Sequence, residues 1–217
     1  MNYPLDRKLA VEFIGMFFFL FTVGMATESA NKSGAVLAPI AIGSILMVAV
    51  FAGGHVSGGH YNPAVSTAIF IRGKMKAHEF GAYIVTQFVA AALAGLLVNA
   101  VGGKEIAGAT ASTGKMLVVE FLFTFLLAYV VLNVATAKGT AGNSFYGLAI
   151  GFVVVIGAIS VGWISGGAFN PAIALGASIL GAFKWSHLWI YLVADFLGGA
   201  AAAGTFLYIQ GEHAAEE

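Results

Sequence analysis

Polar residues are so sparse in this chain that their positions divide it into blocks. Long apolar runs cover residues 8–27, 35–54, 79–101, 116–137, 144–164 and 187–209. Each is close to the ~20 residues that a helix needs to cross a ~30 Å hydrocarbon core. Short polar connections at 28–34, 72–78, 102–114 and 138–143 separate the runs and leave no room for a soluble domain. Two further apolar stretches, 62–71 and 170–180, follow the second and fifth runs and have about ten residues each. At 1.5 Å per residue such a helix reaches roughly 15 Å, half of the hydrocarbon thickness. The pattern predicts an all-α integral membrane protein with six transmembrane helices and two re-entrant half-helices. The first run is too long for a signal-peptide core and lacks a small-residue cleavage site, so it reads as a retained span.

Both half-length stretches are introduced by the same kind of segment, Ser57-Gly58-Gly59-His60-Tyr61-Asn62-Pro63-Ala64-Val65 and Ser165-Gly166-Gly167-Ala168-Phe169-Asn170-Pro171-Ala172-Ile173. Asn is a good N-cap, because its side-chain oxygen accepts an otherwise unpaired N–H of the first turn. Proline at the next position has its φ already set for a helix and no N–H to leave unpaired. The two segments lie 108 positions apart, and so do Glu12 and Glu120. At the same offset Val11-Glu12-Phe13 falls on Val119-Glu120-Phe121, and Ala41-Ile42-Gly43 on Ala149-Ile150-Gly151. Three spans per half is an odd number, so the halves, about 1–108 and 109–217, are expected to sit upside down relative to each other. Such an inverted repeat places function at the interface of the halves, near the bilayer midplane. The whole chain then forms one transmembrane domain.

Composition agrees with a membrane class and removes others. The 217 residues are 59% hydrophobic and only 9% charged, against about 25% charged in a soluble domain. Ten basic residues balance ten acidic ones, which argues against nucleic acid or a polybasic lipid contact as partner. There is no cysteine for disulfides, thiolate metal sites or thiol catalysis. No nucleophile–base pair, phosphate loop or metal-ligand cluster stands out, so neither an enzyme nor a bound cofactor or metal is expected. With both termini inside, inner connections hold Arg7, Lys8, Arg72, Lys74, Lys76 and Lys138, and outer ones Lys32, Lys104, Lys115 and Lys184. That bias is small, and it points to cytoplasmic termini in a cell or inner membrane.

Two half-helices meeting N-terminus to N-terminus would bring two dipole ends of ~+0.5 charge each to the membrane centre. Cations there would meet repulsion as well as dehydration, while neutral hydrogen-bonding solutes pass. The amides of Asn62 and Asn170 could both donate to one passing oxygen. The plainer alternative is that both Asn-Pro pairs only cap helices.

The doubled Asn-Pro-Ala, the Glu-Phe pairs of spans one and four, and Gly54-His55-Val56-Ser57-Gly58 resemble the aquaporin (major intrinsic protein) family over nearly the whole chain. The resemblance implies a right-handed six-helix bundle in the lipid bilayer, assembled as a homotetramer with one pore per subunit. It also implies that Asn62, Pro63, Ala64, Asn170, Pro171 and Ala172 form the pore centre. Glu12 and Glu120 would hold the backbone N–H groups of the re-entrant loops. The family usually has arginine directly after the second Asn-Pro-Ala, where this chain has Ile173. The other selectivity-filter positions, carried over by their distances from the motifs, are Ile42, Ala158 and Gly167. A ring of these four offers little bulk and no side-chain charge, so water and small neutral permeants such as glycerol, urea or ammonia are expected. Arginine's absence leaves the choice among them open, and the plainer alternative is that Ile173 turns away and another residue or a loop fills the mouth.

Other ionisable residues have two readings each. His55 and His60 flank the first glycine turn and either line or gate an inner vestibule, or tie loop backbone together. Asp195 lies inside span six, opposite Gln87 in the repeat. An intramembrane acid is a functional candidate, and it could equally bond a neighbouring subunit or a water at headgroup level. Small-residue runs such as 198–204 and 90–92 read as close helix-packing faces. Two rivals to a passive channel remain: a coupled secondary transporter, which would need midplane carboxylates, and a closed-pore structural member of the family.

Overall fold

The computed structural model describes residues 3–34, 37–102 and 111–211. Among these, eight α-helices follow one another: α1 Leu5–Ser33, α2 Ala38–Ser57, α3 Pro63–Ile71, α4 Ala77–Val101, α5 Thr113–Thr136, α6 Tyr146–Ser165, α7 Pro171–Ile179 and α8 Leu188–Gln210. Single 3-10 turns at Lys138–Thr140 and Trp185–His187 lead into α6 and α8. Six helices are long and apolar enough to cross a membrane, and α3 and α7 have nine residues each. The six-plus-two arrangement read from the apolar blocks is the fold of the protein.

The first span differs from its expected extent. Helix α1 continues through residues 28–33, which read as a polar connection, and stops only at Gly34. The polar side chains there serve the helix: Glu28 and Lys32 pair one turn apart at 2.7 Å, an i,i+4 arrangement. The Thr27 and Ser33 hydroxyls donate to carbonyls four residues back. Gly34 then takes a left-handed φ of 70° and returns its N–H to Ala30, a C-terminal cap that glycine adopts without steric cost. The predicted connection 102–114 lies mostly outside the described residues.

The bundle is built from two matching triplets. Helix α1 packs between α2 and α4, and α5 packs between α6 and α8. The triplets meet where α2 crosses α6, at Gly43 and Gly151, 108 positions apart. A methyl on either glycine would stand 2.5 Å from the other's carbonyl oxygen, so the helices can approach this closely only because both side chains are absent. Each half-helix crosses over to the other triplet: α3 packs on α8, and α7 on α4. The small-residue faces permit it. A methyl on Gly95 of α4 would lie 2.9 Å from the Gly176 carbonyl of α7, and one on Gly199 of α8 would collide with Ala64 of α3.

The interior contains Met16, Phe19, Leu20, Leu127, Leu132 and Phe206, together with Ala90, Ala91, Ala94, Ala202 and Ala203. The outer surface carries large apolar side chains such as Ile14, Phe18, Val85, Leu96, Ile159 and Trp163. A belt of this kind is costly in water and matched to hydrocarbon. With six apolar spanning helices it makes the chain an integral membrane protein.

Candidate functional site

The two half-helices begin at the centre of the bundle and face each other. Asn62 sits in extended backbone before α3, and its Oδ1 accepts the N–H groups of Ala64 at 2.8 Å and Val65 at 3.4 Å. Asn170 does the same for Ala172 at 2.9 Å and Ile173 at 3.4 Å. Pro63 and Pro171 occupy the first helical positions. The amide nitrogens reach across: Asn62 Nδ2 donates to the Phe169 carbonyl at 2.9 Å, and Asn170 Nδ2 to the Tyr61 carbonyl at 2.8 Å. One hydrogen of each NH₂ is therefore committed to the opposite loop, and the second remains. Asn62 and Asn170 are 2% and 1% exposed, so these reciprocal bonds lie in the buried interior, where they tie the two motifs together.

Each loop enters its half-helix through a strained turn that a carboxylate holds. Gly58 and Gly59 have φ of 92° and 64°, and Gly166 and Gly167 have 94° and 69°, values that a side chain would resist. The next left-handed residues are not glycines. Tyr61 and Phe169 have φ of 46° and 48°, a conformation costing of order 1–3 kcal/mol that persists only when its surroundings over-determine it. Buried Glu12 supplies that in the first loop. Its Oε1 accepts the Ser57 hydroxyl at 2.7 Å and the His60 N–H at 2.9 Å; its Oε2 accepts the Tyr61 N–H at 2.7 Å and the Gln87 amide at 2.9 Å. Glu120 accepts the Ser165 hydroxyl at 2.5 Å and the N–H groups of Ala168 and Phe169 at 3.1 and 2.7 Å. Four or three donors on one carboxylate offset the cost of burying its charge.

The second half departs from the first behind Glu120. Asp195 stands where the repeat places Gln87, and it is fully buried within the chain, where Oδ1 accepts the Thr124 hydroxyl at 3.0 Å. Its carboxyl lies against that of Glu120. It therefore faces neither a neighbouring subunit nor headgroup-level water, because α8 turns this face onto α5. The histidines separate. His60 is buried, with Nδ1 3.0 Å from the Ser66 hydroxyl and its ring 5.2 Å from that of Tyr83. His55 is exposed on α2, edge-on to Tyr3. Both border a cavity of about 850 Å³ whose lining includes Lys8, Lys74, Glu79, Lys138, Val50 and Ile150. Ile42, Ala158 and Gly167 are half-buried, and Ile173 is 3% exposed. Among the described residues no three His, Asp or Glu side chains converge to hold a metal.

Several site residues escaped the sequence reading. Tyr83 and Tyr191 donate their hydroxyls to the carbonyls of Ser57 and Ser165 at 2.7 and 2.5 Å, bracing each loop from outside. Tyr61 sends its hydroxyl to the Ala49 carbonyl at 2.9 Å. Ser57 and Ser165 relay between carboxylate and turn by accepting the N–H groups of Gly59 and Gly167. The signal was present: Tyr83 and Tyr191, Ser57 and Ser165, and the aromatic pair Tyr61 and Phe169 all obey the 108-residue period.

Comparisons with known proteins identify the family. The Major intrinsic protein family profile matches residues 2–208. Aquaporin NIP1-4 of Oryza sativa subsp. japonica is 33% identical over 218 residues, 97% of this chain and 79% of that protein. The Glycerol uptake facilitator protein-like 6 of Lactiplantibacillus plantarum is 35% identical over 207 residues, 91% of this chain and 95% of that protein. In three dimensions the chain is similar to the X-ray structure of the aquaglyceroporin from Plasmodium falciparum, with a TM-score of 0.82, 19% identity, and coverage of 99% and 100% of the two chains. At that identity the likeness concerns the fold alone. A family match over nearly the full length, on a chain whose half-helices and paired Asn-Pro-Ala segments repeat at one fixed offset, makes this protein a member of the major intrinsic protein family.

Proposed function

We propose that this chain is a passive channel for water and small neutral solutes that excludes protons and ions. The observation that carries the reading is the pair of Asn-capped half-helices, cross-bonded through Asn62 and Asn170 with their N-termini opposed. Two positive dipole ends at one depth repel cations. The uncommitted amide hydrogens can orient a passing hydroxyl or water. Pro63, Ala64, Pro171 and Ala172 complete this pore centre, and Glu12 and Glu120 hold it. The relatives named as aquaporins and as a glycerol uptake facilitator-like protein support water and glycerol-sized permeants. A coupled transporter fits less well, since Glu12 and Glu120 are fully buried and each engaged by several donors of the re-entrant loops.

The same reading makes the chain an inverted repeat in a cell or inner membrane, with cytoplasmic termini and four subunits, each with its own pore. His55 lines the inner vestibule, and His60 braces it through Ser66. Selectivity falls to the ring of Ile42, Ala158, Gly167 and Ile173. A guanidinium at that ring would narrow the lumen and donate rigid hydrogen bonds, and isoleucine does neither. Its apolar branches raise the cost of stripping water from a solute. With the small Ala158 and Gly167 opposite, width outweighs that cost. Liposome swelling with water, glycerol, urea, ammonia and peroxide tests this. Wild type should pass a solute larger than water, and Ile173→Arg should reduce that flux more than water flux. Passage of water alone, or an unchanged solute-to-water ratio in the variant, refutes the role of Ile173; flux that depends on an ion gradient refutes the channel.

A further inference from the structure

Counting donors around the two loop-holding carboxylates exposes an inequality. Glu12 receives four hydrogen bonds, the last from the Gln87 amide. Glu120 receives three, and Asp195 occupies the place of the fourth donor. An ionised Asp has no hydrogen to give. Asp195 is 0% exposed, its Oδ1 takes the Thr124 hydroxyl, and its Oδ2 receives a hydrogen bond from no donor. Two ionised carboxyl groups in contact, both without water, would repel strongly, and sharing one proton turns that repulsion into a short O–H···O⁻ bond. The orphaned oxygen is then satisfied as well.

We propose that Asp195 is a positioning residue that keeps its proton and donates it through Oδ2 to the Glu120 carboxylate, as the Gln87 amide does to Glu12. The proton sits on Asp195 because Glu120 already holds three donors, each favouring its ionised form, whereas Asp195 has only the Thr124 hydroxyl and the nearby Asn170 peptide N–H. Glu120 comes from α5 and Tyr191 from α8, and the loop before α7 brings the Asn170 peptide N–H against the Asp195 carboxyl. The Tyr191 hydroxyl is engaged with the Ser165 carbonyl. Through Glu120 this one proton helps to hold Ala168 and Phe169, whose carbonyl takes the Asn62 amide. It therefore sets the second motif in place without touching a permeant. The inference rests on the proposed channel only for its consequence.

Infrared spectra of the protein in liposomes at neutral pH read the proton directly. Wild type should show a protonated-carboxyl C=O band that shifts in D₂O. Asp195→Asn, which keeps an NH₂ donor toward Glu120 and an oxygen for Thr124, should abolish that band and retain water flux. Asp195→Ala should lose flux that Asn rescues. Thr124→Val leaves the acid but removes its Oδ1 donor, so the band should move to higher frequency; this holds the test open if the Asn variant fails to fold. A wild-type spectrum without the band, a band that survives Asp195→Asn, or one that Thr124→Val leaves unmoved overturns the proposal. The spectra report a proton and not a permeant, so they stand even if the channel reading fails.

Discussion

Removing the Glu12 carboxylate should show how much of the first loop it holds. Glu12→Ala deletes the acceptor for the His60 and Tyr61 peptide N–H groups, for the Ser57 hydroxyl and for the Gln87 amide. Ser57 still accepts the Gly59 N–H, although its own hydrogen loses its acceptor, and Gln87 still donates to Ser66. The peptide groups have no second partner, and a buried unpaired N–H costs about 1–3 kcal/mol, which gives about 2–6 kcal/mol for the pair. The strained backbone of Tyr61, φ 46°, loses the bond at its own nitrogen, so the loop relaxes away from its half-helix. Glu12→Gln keeps one oxygen, enough for Ser57 and His60, and turns an NH₂ toward the Tyr61 N–H and the Gln87 amide, of which Gln87 keeps its bond to Ser66. One donor is left unpaired, at about 1–3 kcal/mol. Unfolding midpoints in detergent should fall in the order wild type, Gln, Ala, with Ala also losing water flux in liposomes; Glu120 should repeat the order. Equal midpoints for wild type, Gln and Ala would refute the reasoning and return both acids to the pool of coupling groups.

Three further outcomes follow from other contacts. Asn62→Asp or Asn170→Asp replaces an amide donor by a negative charge that offsets both dipole ends, so cation leak should rise in proteoliposome conductance; variants as cation-tight as wild type with water flux intact would count against this centre. Gly43→Ala puts a methyl 2.5 Å from the Gly151 carbonyl and should cost about 1–3 kcal/mol in detergent stability as α2 and α6 separate; an unchanged midpoint would mean the crossing is looser than described. Water flux should stay flat across roughly pH 5–8, where free histidine titrates, because His60 is buried on Ser66 and His55 stands exposed on α2, packed edge-on to Tyr3. A steep step in that range, abolished by His55→Ala, would show a gate.

The fold class was legible because its causes are local. Run length alone separates a spanning helix from a half-helix, and Asn followed by Pro starts a helix through contacts two and three residues away. The 108-residue period is likewise written in the chain, and α2 with α6 and α3 with α7 keep it to the residue. What tertiary structure decided are the partners. Whether the Asn62 amide would face a lumen or a carbonyl depended on Phe169, 107 positions away, and Asn170 on Tyr61, 109 away. No capping rule carries that information, because it arises only when α3 and α7 cross into each other's triplet. The left-handed backbone of Tyr61 and Phe169 was invisible for the same reason: bulky side chains argue against it locally, and a carboxylate from a distant helix enforces it. Asp195 shows the limit most sharply. The sequence marked an acid in a span, but only the packing of α8 on α5 put it against a second acid and left one oxygen in need of a proton.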